Sequence, residues 1–192
     1  MNQMPNRGVF LDRDGTINEE VNYLSHPEQL RLITGAAEAI KSLNRAGFKV
    51  VVVTNQAGVA RGYFTEPTVR EIHEALEKKL GEQGARVDAI YYCPHHPAAG
   101  LGVYRQDCNC RKPKPGMLEK AAIELNIDLR ESFVVGDKIS DLEAGLAVGC
   151  RNILVHTGYG QESENEFSGA AWRPEFVADD LLEAARWILK QA

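Results

Sequence analysis

The sequence predicts an α/β fold built on a mainly parallel sheet. Short apolar runs alternate with segments of helical composition along the chain, the signature of βαβ units. The run Lys49-Val50-Val51-Val52-Val53-Thr54 is β-branched almost without interruption, as suits a strand covered on both faces. Asp14, Thr54, Cys93 and Asp137 each follow closely on an apolar run. Sheets of this kind bind ligands beyond the carboxyl ends of their strands, so these four are expected on one rim.

The elements follow in order. Gly8 to Leu11 reads as the first strand, and Ala36 to Arg45 as a helix stopped by Gly47, a residue that tolerates the left-handed turn after a helix. Lys49 to Thr54 is the second strand. Glu66 to Leu80 is a helix with Thr65 as N-cap and Pro67 in its first turn, where no backbone N–H is needed. Ala89 to Tyr92 is a strand, Met117 to Leu125 a helix, and Phe133 to Gly136 a strand ending at Asp137. Ser140-x-x-Glu143 has the spacing of a capping box for the next helix. Asn152 to His156 is a strand, Phe176-Val177 a short one, and Ala178 to Lys190 the last helix. Gly158 to Pro174 is polar and Gly-rich and reads as a loop. There is no internal repeat and no low-complexity segment.

A chain of 192 residues suffices for one ample core, so residues 1–192 are expected to form one domain. Hydrophobic content of 44% with 26% charged residues is that of an ordinary soluble globule. A net charge of −5 gives no general attraction to nucleic acid or anionic membranes. No apolar stretch approaches a membrane span, and Met1 to Arg7 is polar without a signal-like segment. The expectation is a cytoplasmic protein with no nucleic-acid or membrane partner. No heptad or dimer stripe is visible, so a monomer is expected.

Val9-Phe10-Leu11-Asp12-Arg13-Asp14-Gly15-Thr16 carries the strongest chemical signal. Residues two apart on a strand share a face, so Asp12 and Asp14 project together. Two carboxylates this close need a cation, a proton or both. Mg²⁺-assisted phosphoryl transfer uses such a pair, one attacking phosphorus and the other moving the proton. Taken alone, Asp-x-Asp is as often turn chemistry; three further signals favour the chemical reading. Thr54-Asn55-Gln56 offers a hydroxyl and two amides to phosphate oxygens without adding charge. Arg111-Lys112-Pro113-Lys114-Pro115 is a stiffened basic run in which Lys112 is placed to neutralise a phosphoryl group. Val135-Gly136-Asp137-Lys138 ends a strand with an acid that can complete a Mg²⁺ site. Asp141 either holds Lys138 or the loop, or is an acid favoured at a helix start.

Cys93-Pro94-His95-His96 followed by Cys108-Asn109-Cys110 supplies four soft or borderline ligands, a set for tetrahedral Zn²⁺. A closed four-ligand site is structural, so zinc on Cys93, His95, Cys108 and Cys110 would pin the loop 93–115; His96 is the alternative to His95. Cys150 reads as a small buried core residue. His26, His73 and His156 have no evident partners in the sequence.

In Asp12-Arg13-Asp14-Gly15-Thr16, Thr54-Asn55-Gln56, Lys112 and Gly136-Asp137-Lys138, the chain resembles the haloacid-dehalogenase (HAD) superfamily of phosphotransferases over nearly its whole length. The resemblance implies a Rossmann-like three-layer sandwich. It also implies that Asp12 is the nucleophile, that Asp14 protonates the leaving oxygen and then activates water, and that Thr54 and Lys112 bind the phosphoryl group. Mg²⁺ would be held by Asp12, Asp137 and the backbone carbonyl of Asp14. No large insertion follows Asp14, so a cap domain is not expected, and a flap (15–33) and the zinc loop must cover the site. The pattern Cys-Pro-His-His-Pro through Cys-x-Cys-Arg-Lys-Pro is similar to heptose-bisphosphate phosphatases and to histidinol-phosphate phosphatases. The long zinc loop, Asn55 to Gly62 and Tyr23 resemble the heptose branch, which acts on a small phosphorylated sugar in ADP- or GDP-heptose synthesis. That resemblance assigns substrate contacts to Glu20, Tyr23, Asn55, Gln56, Arg111 and Lys138. Ala57 departs from it, standing where many relatives carry serine. The remaining alternative is a non-catalytic, zinc-stabilised binding module.

Overall fold

The computed structural model describes residues 4–100, 102–167 and 171–191. Its strands are β1 (Gly8–Leu11), β2 (Lys49–Asn55), β3 (Ala89–Cys93), β4 (Phe133–Gly136), β5 (Arg151–Val155) and β6 (Phe176–Ala178). Its α-helices are α1 (Ala36–Arg45), α2 (Glu66–Gly81), α3 (Gly116–Glu124), α4 (Ile139–Ala147), α5 (Gly160–Glu166) and α6 (Leu181–Lys190). All strands pair in parallel in the order β3-β2-β1-β4-β5-β6. The chain winds outward from β1 to one edge, then returns to β4 and winds to the other. The reversal between β1 and β4 opens a crevice at their carboxyl ends.

Strand periodicity sorts the core into two layers. Val9, Leu11, Val50, Val52, Val135 and Ile153 face one way and pack with α1, α2 and α6. Phe10, Val51, Val53, Val134 and Leu154 face the other way, onto α3 and α4. Each such buried side chain contributes about 1.5–3 kcal/mol of transfer free energy, and β1 is buried at all four positions. This rigid frame fixes where the residues after each strand point.

The structure corrects the sequence reading in three places. The segment from Gly158 to Pro174, expected as a loop, contains α5, with residues 168–170 lying outside the described ones. The helix GQESENE has no apolar stripe; Gly160, Ser163 and the following Phe167 seat it. Helix α4 starts before Ser140, so Ser140 lies inside its first turn and cannot cap it. Instead the Asp141 carboxylate reaches back and accepts from Lys138 N at 3.1 Å. Helix α6 starts at Leu181 rather than Ala178, because Asp180 caps it by accepting from Glu183 N at 2.9 Å. Of the polar stretch Met1 to Arg7, the first three residues lie outside the described structure.

Candidate active site

The sheet brings Asp12 and Asp137 to the ends of adjacent strands, with Asp12 N donating to Val135 O at 3.0 Å. Lys112 reaches this pair from the far end of the zinc loop. Its ammonium donates to Asp12 Oδ1 at 2.7 Å and to Val53 O at 2.6 Å, and pairs with Asp141 Oδ1 at 2.7 Å. An ammonium has three donors, and all are taken. Burial alone would neutralise Lys112, but Asp12 and Asp141 outweigh it and hold the charge firmly in place.

Oxygens of Asp12, Asp137 and Asp141 lie within 4.8 Å of one another. Asp137 Oδ2 accepts from Tyr159 N at 2.9 Å, while the buried Oδ1 has no hydrogen-bond partner among the described residues. Burial and the neighbouring Asp12 charge push the Asp137 carboxyl up to about 8. Gly15 and Gly158 close over it; a Cβ on either would sit 2.3 or 2.2 Å from Asp137 Oδ2. An orphaned buried oxygen among crowded carboxylates is what a hard divalent cation would satisfy, and this donor set fits Mg²⁺.

Asp14 faces differently. Its carboxylate accepts from Arg13 Nε and Nη2, from Asn18 Nδ2 at 2.9 Å and from Gln56 Nε2 at 2.9 Å. Burial pushes this carboxyl up, but Arg13, Asn18 and Gln56 together hold it below the ordinary range. Its side chain is not among the three that cluster for a cation, so only its backbone carbonyl is left for that role.

A cavity of about 280 Å³ opens above Asp12 and Asp14. Thr54, Gln56 and Lys112 form its floor, and Glu20, Tyr23 and Lys138 its wall. Asn22 and Tyr23 take positive φ values of 58° and 80°, which folds the flap over the opening. Three contacts tie it down. Lys138 Nζ meets Glu20 at 3.3 Å, Tyr159 Oη donates to Asn22 Oδ1 at 3.2 Å, and Tyr23 meets Tyr63 edge-on at 4.6 Å. Lys138 also lies 4.6 Å over the Tyr159 ring. Asn22, from the expected flap, lines the cavity as well, and so do Tyr159 and Ser140, which carry no signal in the sequence for a place in the site. Two residues expected to face a sugar are engaged elsewhere. Asn55 spends both ends of its amide on the Lys112 backbone, at 3.0 and 3.1 Å. Arg111 stands outside the cavity lining and donates to His95 O at 3.1 Å.

Cys93, His95, Cys108 and Cys110 converge beside this rim. The sulfurs of Cys93 and Cys110 lie 3.4 and 3.0 Å from that of Cys108, and His95 Nδ1 lies 3.5 and 3.8 Å from Cys110 and Cys93. A tetrahedral zinc with Zn–S near 2.3 Å and Zn–N near 2.0 Å sets ligand–ligand edges of roughly 3.5–3.8 Å, so the cluster fits that ion with small adjustments. His96 turns away, its Nδ1 accepting from Ala98 N and Ala99 N. Tyr104 on the same loop donates to Glu66 at 2.8 Å, anchoring the loop to the start of α2. Cys150 is buried apart from the cluster, as expected.

An α/β crevice with paired carboxylates, a buried lysine and a cation-ready triad defines a phosphoryl-transfer fold of the HAD class. The family model described as HAD-hydrolase-like matches residues 109–184. D-glycero-beta-D-manno-heptose-1,7-bisphosphate 7-phosphatase of Haemophilus influenzae is 43% identical over 97% of this chain and 98% of its own length. The protein of that name from Escherichia coli K12 is also 43% identical, over 95% and 94%. The crystal structure of D,D-heptose 1,7-bisphosphate phosphatase from B. bronchiseptica, complexed with magnesium and phosphate, superposes with a TM-score of 0.86. It is 36% identical, covering 97% of this chain and 99% of that one. The chain belongs to the HAD-like phosphatase family.

Proposed function

We propose that this chain is a Mg²⁺-dependent phosphoric monoester hydrolase that removes the 7-phosphate of D-glycero-D-manno-heptose 1,7-bisphosphate. The reading rests on one observation above all: Lys112 holds the Asp12 carboxylate at 2.7 Å, beside the carboxylates that would share a cation. Asp12 attacks phosphorus and becomes an aspartyl-phosphate. Asp14 gives a proton to the departing sugar oxygen, then takes one from the water that cleaves the acyl phosphate. Thr54 and Lys112 contact the phosphoryl oxygens, the Lys112 ammonium exchanging one of its three protein acceptors for an oxygen of the phosphoryl group, and Lys112 offsets their growing charge. Mg²⁺, held by Asp12, Asp137 and the Asp14 carbonyl, would supply further charge neutralisation at the phosphoryl group. Zinc on the Cys93, His95, Cys108 and Cys110 set is structural and fixes the segment that delivers Lys112.

The flap residues Glu20 and Tyr23, with Gln56 and Lys138, form the sugar side of the site. Arg111 lies next to Lys112 and takes the second phosphate at the mouth once it releases His95 O. The relatives named for the β anomer support that anomer as substrate. Phosphate release with Mg²⁺ is compared on the α and β heptose 1,7-bisphosphates and on histidinol phosphate. Preference for the β anomer is expected. Preference for histidinol phosphate would overturn the sugar assignment.

A further inference from the structure

Arg13 is fully buried, and so, nearly, is His73. A buried guanidinium needs acceptors for its donors. Arg13 turns Nε and Nη2 onto Asp14, at 3.1, 3.0 and 2.8 Å. Its Nη1 meets His73 Nε2 at 3.1 Å. Arginine cannot accept, so His73 Nε2 must, and the ring proton lies on Nδ1. Burial and the Arg13 charge hold His73 down at about 3, so the ring is neutral and able to accept. Tyr92 braces the ring edge-on at 5.6 Å, and Tyr92 Oη in turn donates to Glu66 at 2.7 Å. His73 thus sits on a helix that supplies none of the site residues described above, yet it touches the group that grips Asp14.

We propose that His73 is a positioning residue for proton transfer: its Nε2 fixes the Arg13 guanidinium, which aims the Asp14 carboxyl at the leaving oxygen. This rests on the reading of Asp14 as the acid of the first step. In that step the Asp12–phosphorus bond forms, the phosphorus–sugar oxygen bond breaks, and the Asp14 proton goes to the sugar oxygen. A sugar alkoxide leaves poorly without that proton, whereas p-nitrophenolate leaves without one. A misaimed Asp14 therefore slows the first step, which kcat/KM reads, with the sugar phosphate and spares that step with p-nitrophenyl phosphate, which a general loss of structure would not do. The later hydrolysis of the aspartyl-phosphate is common to both substrates and enters only kcat.

The experiment measures kcat/KM on heptose 1,7-bisphosphate and on p-nitrophenyl phosphate, with Mg²⁺, for wild type and three variants. His73→Leu removes the acceptor, His73→Asn keeps polarity with too short a reach, and His73→Gln restores an acceptor near Nε2. Leu and Asn are expected to lose about 10- to 100-fold on the sugar phosphate, part of the 10²–10⁴ that general acid catalysis contributes. They should lose less than about threefold on p-nitrophenyl phosphate, since no proton is required there. His73→Gln should recover most of the sugar activity. Equal losses on both substrates, or a Gln variant no better than Asn, would overturn the proposal. If His73→Leu does not fold, the Asn and Gln pair decides. Asp14→Asn, assayed the same way, separates the two readings. If it shows no leaving-group dependence, the role of Asp14 itself is wrong and the proposal goes with it. If Asp14→Asn shows the dependence and the His73 variants do not, only the proposal fails.

Discussion

Lys112 Nζ and Asp12 Oδ1 stand 2.7 Å apart although 100 residues separate them in the chain. The contact joins the tip of β1 to the end of the zinc loop, and Asp141 closes it from α4. Removing one partner of a buried pair leaves the other charge uncompensated, at a cost of about 3–5 kcal/mol. Lys112→Met strands two carboxylates, Asp12 and Asp141, beside Asp137. The variant should unfold at clearly lower denaturant, regain part of that loss when Mg²⁺ is added, and turn over at least about 100-fold more slowly, the scale of losing one charge-stabilising donor. Urea melts with and without Mg²⁺ alongside kinetics check this. Unchanged stability would mean that the pair is not formed in solution.

Asp12→Asn should behave in the opposite way towards stability. It removes a negative charge from a crowded triad and leaves Lys112 paired with Asp141. Turnover should vanish, while the Mg²⁺-free protein melts at the same temperature or higher. Mg²⁺ should then raise the melting temperature less than it does in wild type, because one ligand is gone. Residual turnover above background would remove Asp12 as nucleophile.

Much of this site was legible in the sequence, and the reason is local. Asp12, Thr54 and Asp137 lie at or just beyond strand ends, and strand ends of a parallel sheet share a rim whatever the intervening chain does. The cysteine spacing is likewise local, and the four predicted ligands converge. What stayed hidden depends on contacts without periodicity. Arg13 reads as a spacer between two acids, yet it curls around to grip one of them. His73 lies 60 residues away on a helix, and only tertiary packing brings it to Arg13. Asn55 has the chemistry of a substrate contact, but the Lys112 backbone takes both ends of its amide. Helix α5 has no apolar stripe to announce it, so Tyr159 at its start gave no sign of reaching the flap.

Tyr159 offers a direct test of the flap. Tyr159→Phe loses the Asn22 hydrogen bond but keeps a ring under Lys138, whereas Tyr159→Ala loses both. An exposed neutral hydrogen bond contributes about 0.5–1.5 kcal/mol, so Phe should raise KM a few-fold and leave kcat nearly unchanged. Alanine should raise KM further. A fall in kcat at constant KM for the Phe variant would place Tyr159 in the chemistry instead.

The zinc cluster ties structure to catalysis through chain connectivity. Cys110 is two residues before Lys112, and Asn55 grips the Lys112 backbone from the other side. Metal analysis of purified protein should find about one zinc per chain, as a closed four-ligand set requires. Cys110→Ser should lower zinc content, melting temperature and kcat together. Activity that survives complete zinc removal would show that Asn55 on its backbone and Asp12, Asp141 and Val53 O on its ammonium hold Lys112 without the metal.

His73 should also leave a mark on acid stability. Its folded value of about 3 lies below the ordinary 6.5, because burial and Arg13 disfavour the charged ring. Between those two values the unfolded chain binds a proton that the folded one refuses. Stability is therefore intact above pH 6.5 and falls as pH drops towards 3, by up to about 1.4 kcal/mol per pH unit from this group. Other groups titrate over the same range, so the informative quantity is the difference between wild type and His73→Gln, which cannot take up the proton. From pH 7 to pH 5, wild type should lose about 2 kcal/mol more than the variant, read from urea unfolding at both values. Parallel losses would mean that His73 takes up a proton in the folded protein near its ordinary value. In that state it could not accept from Arg13.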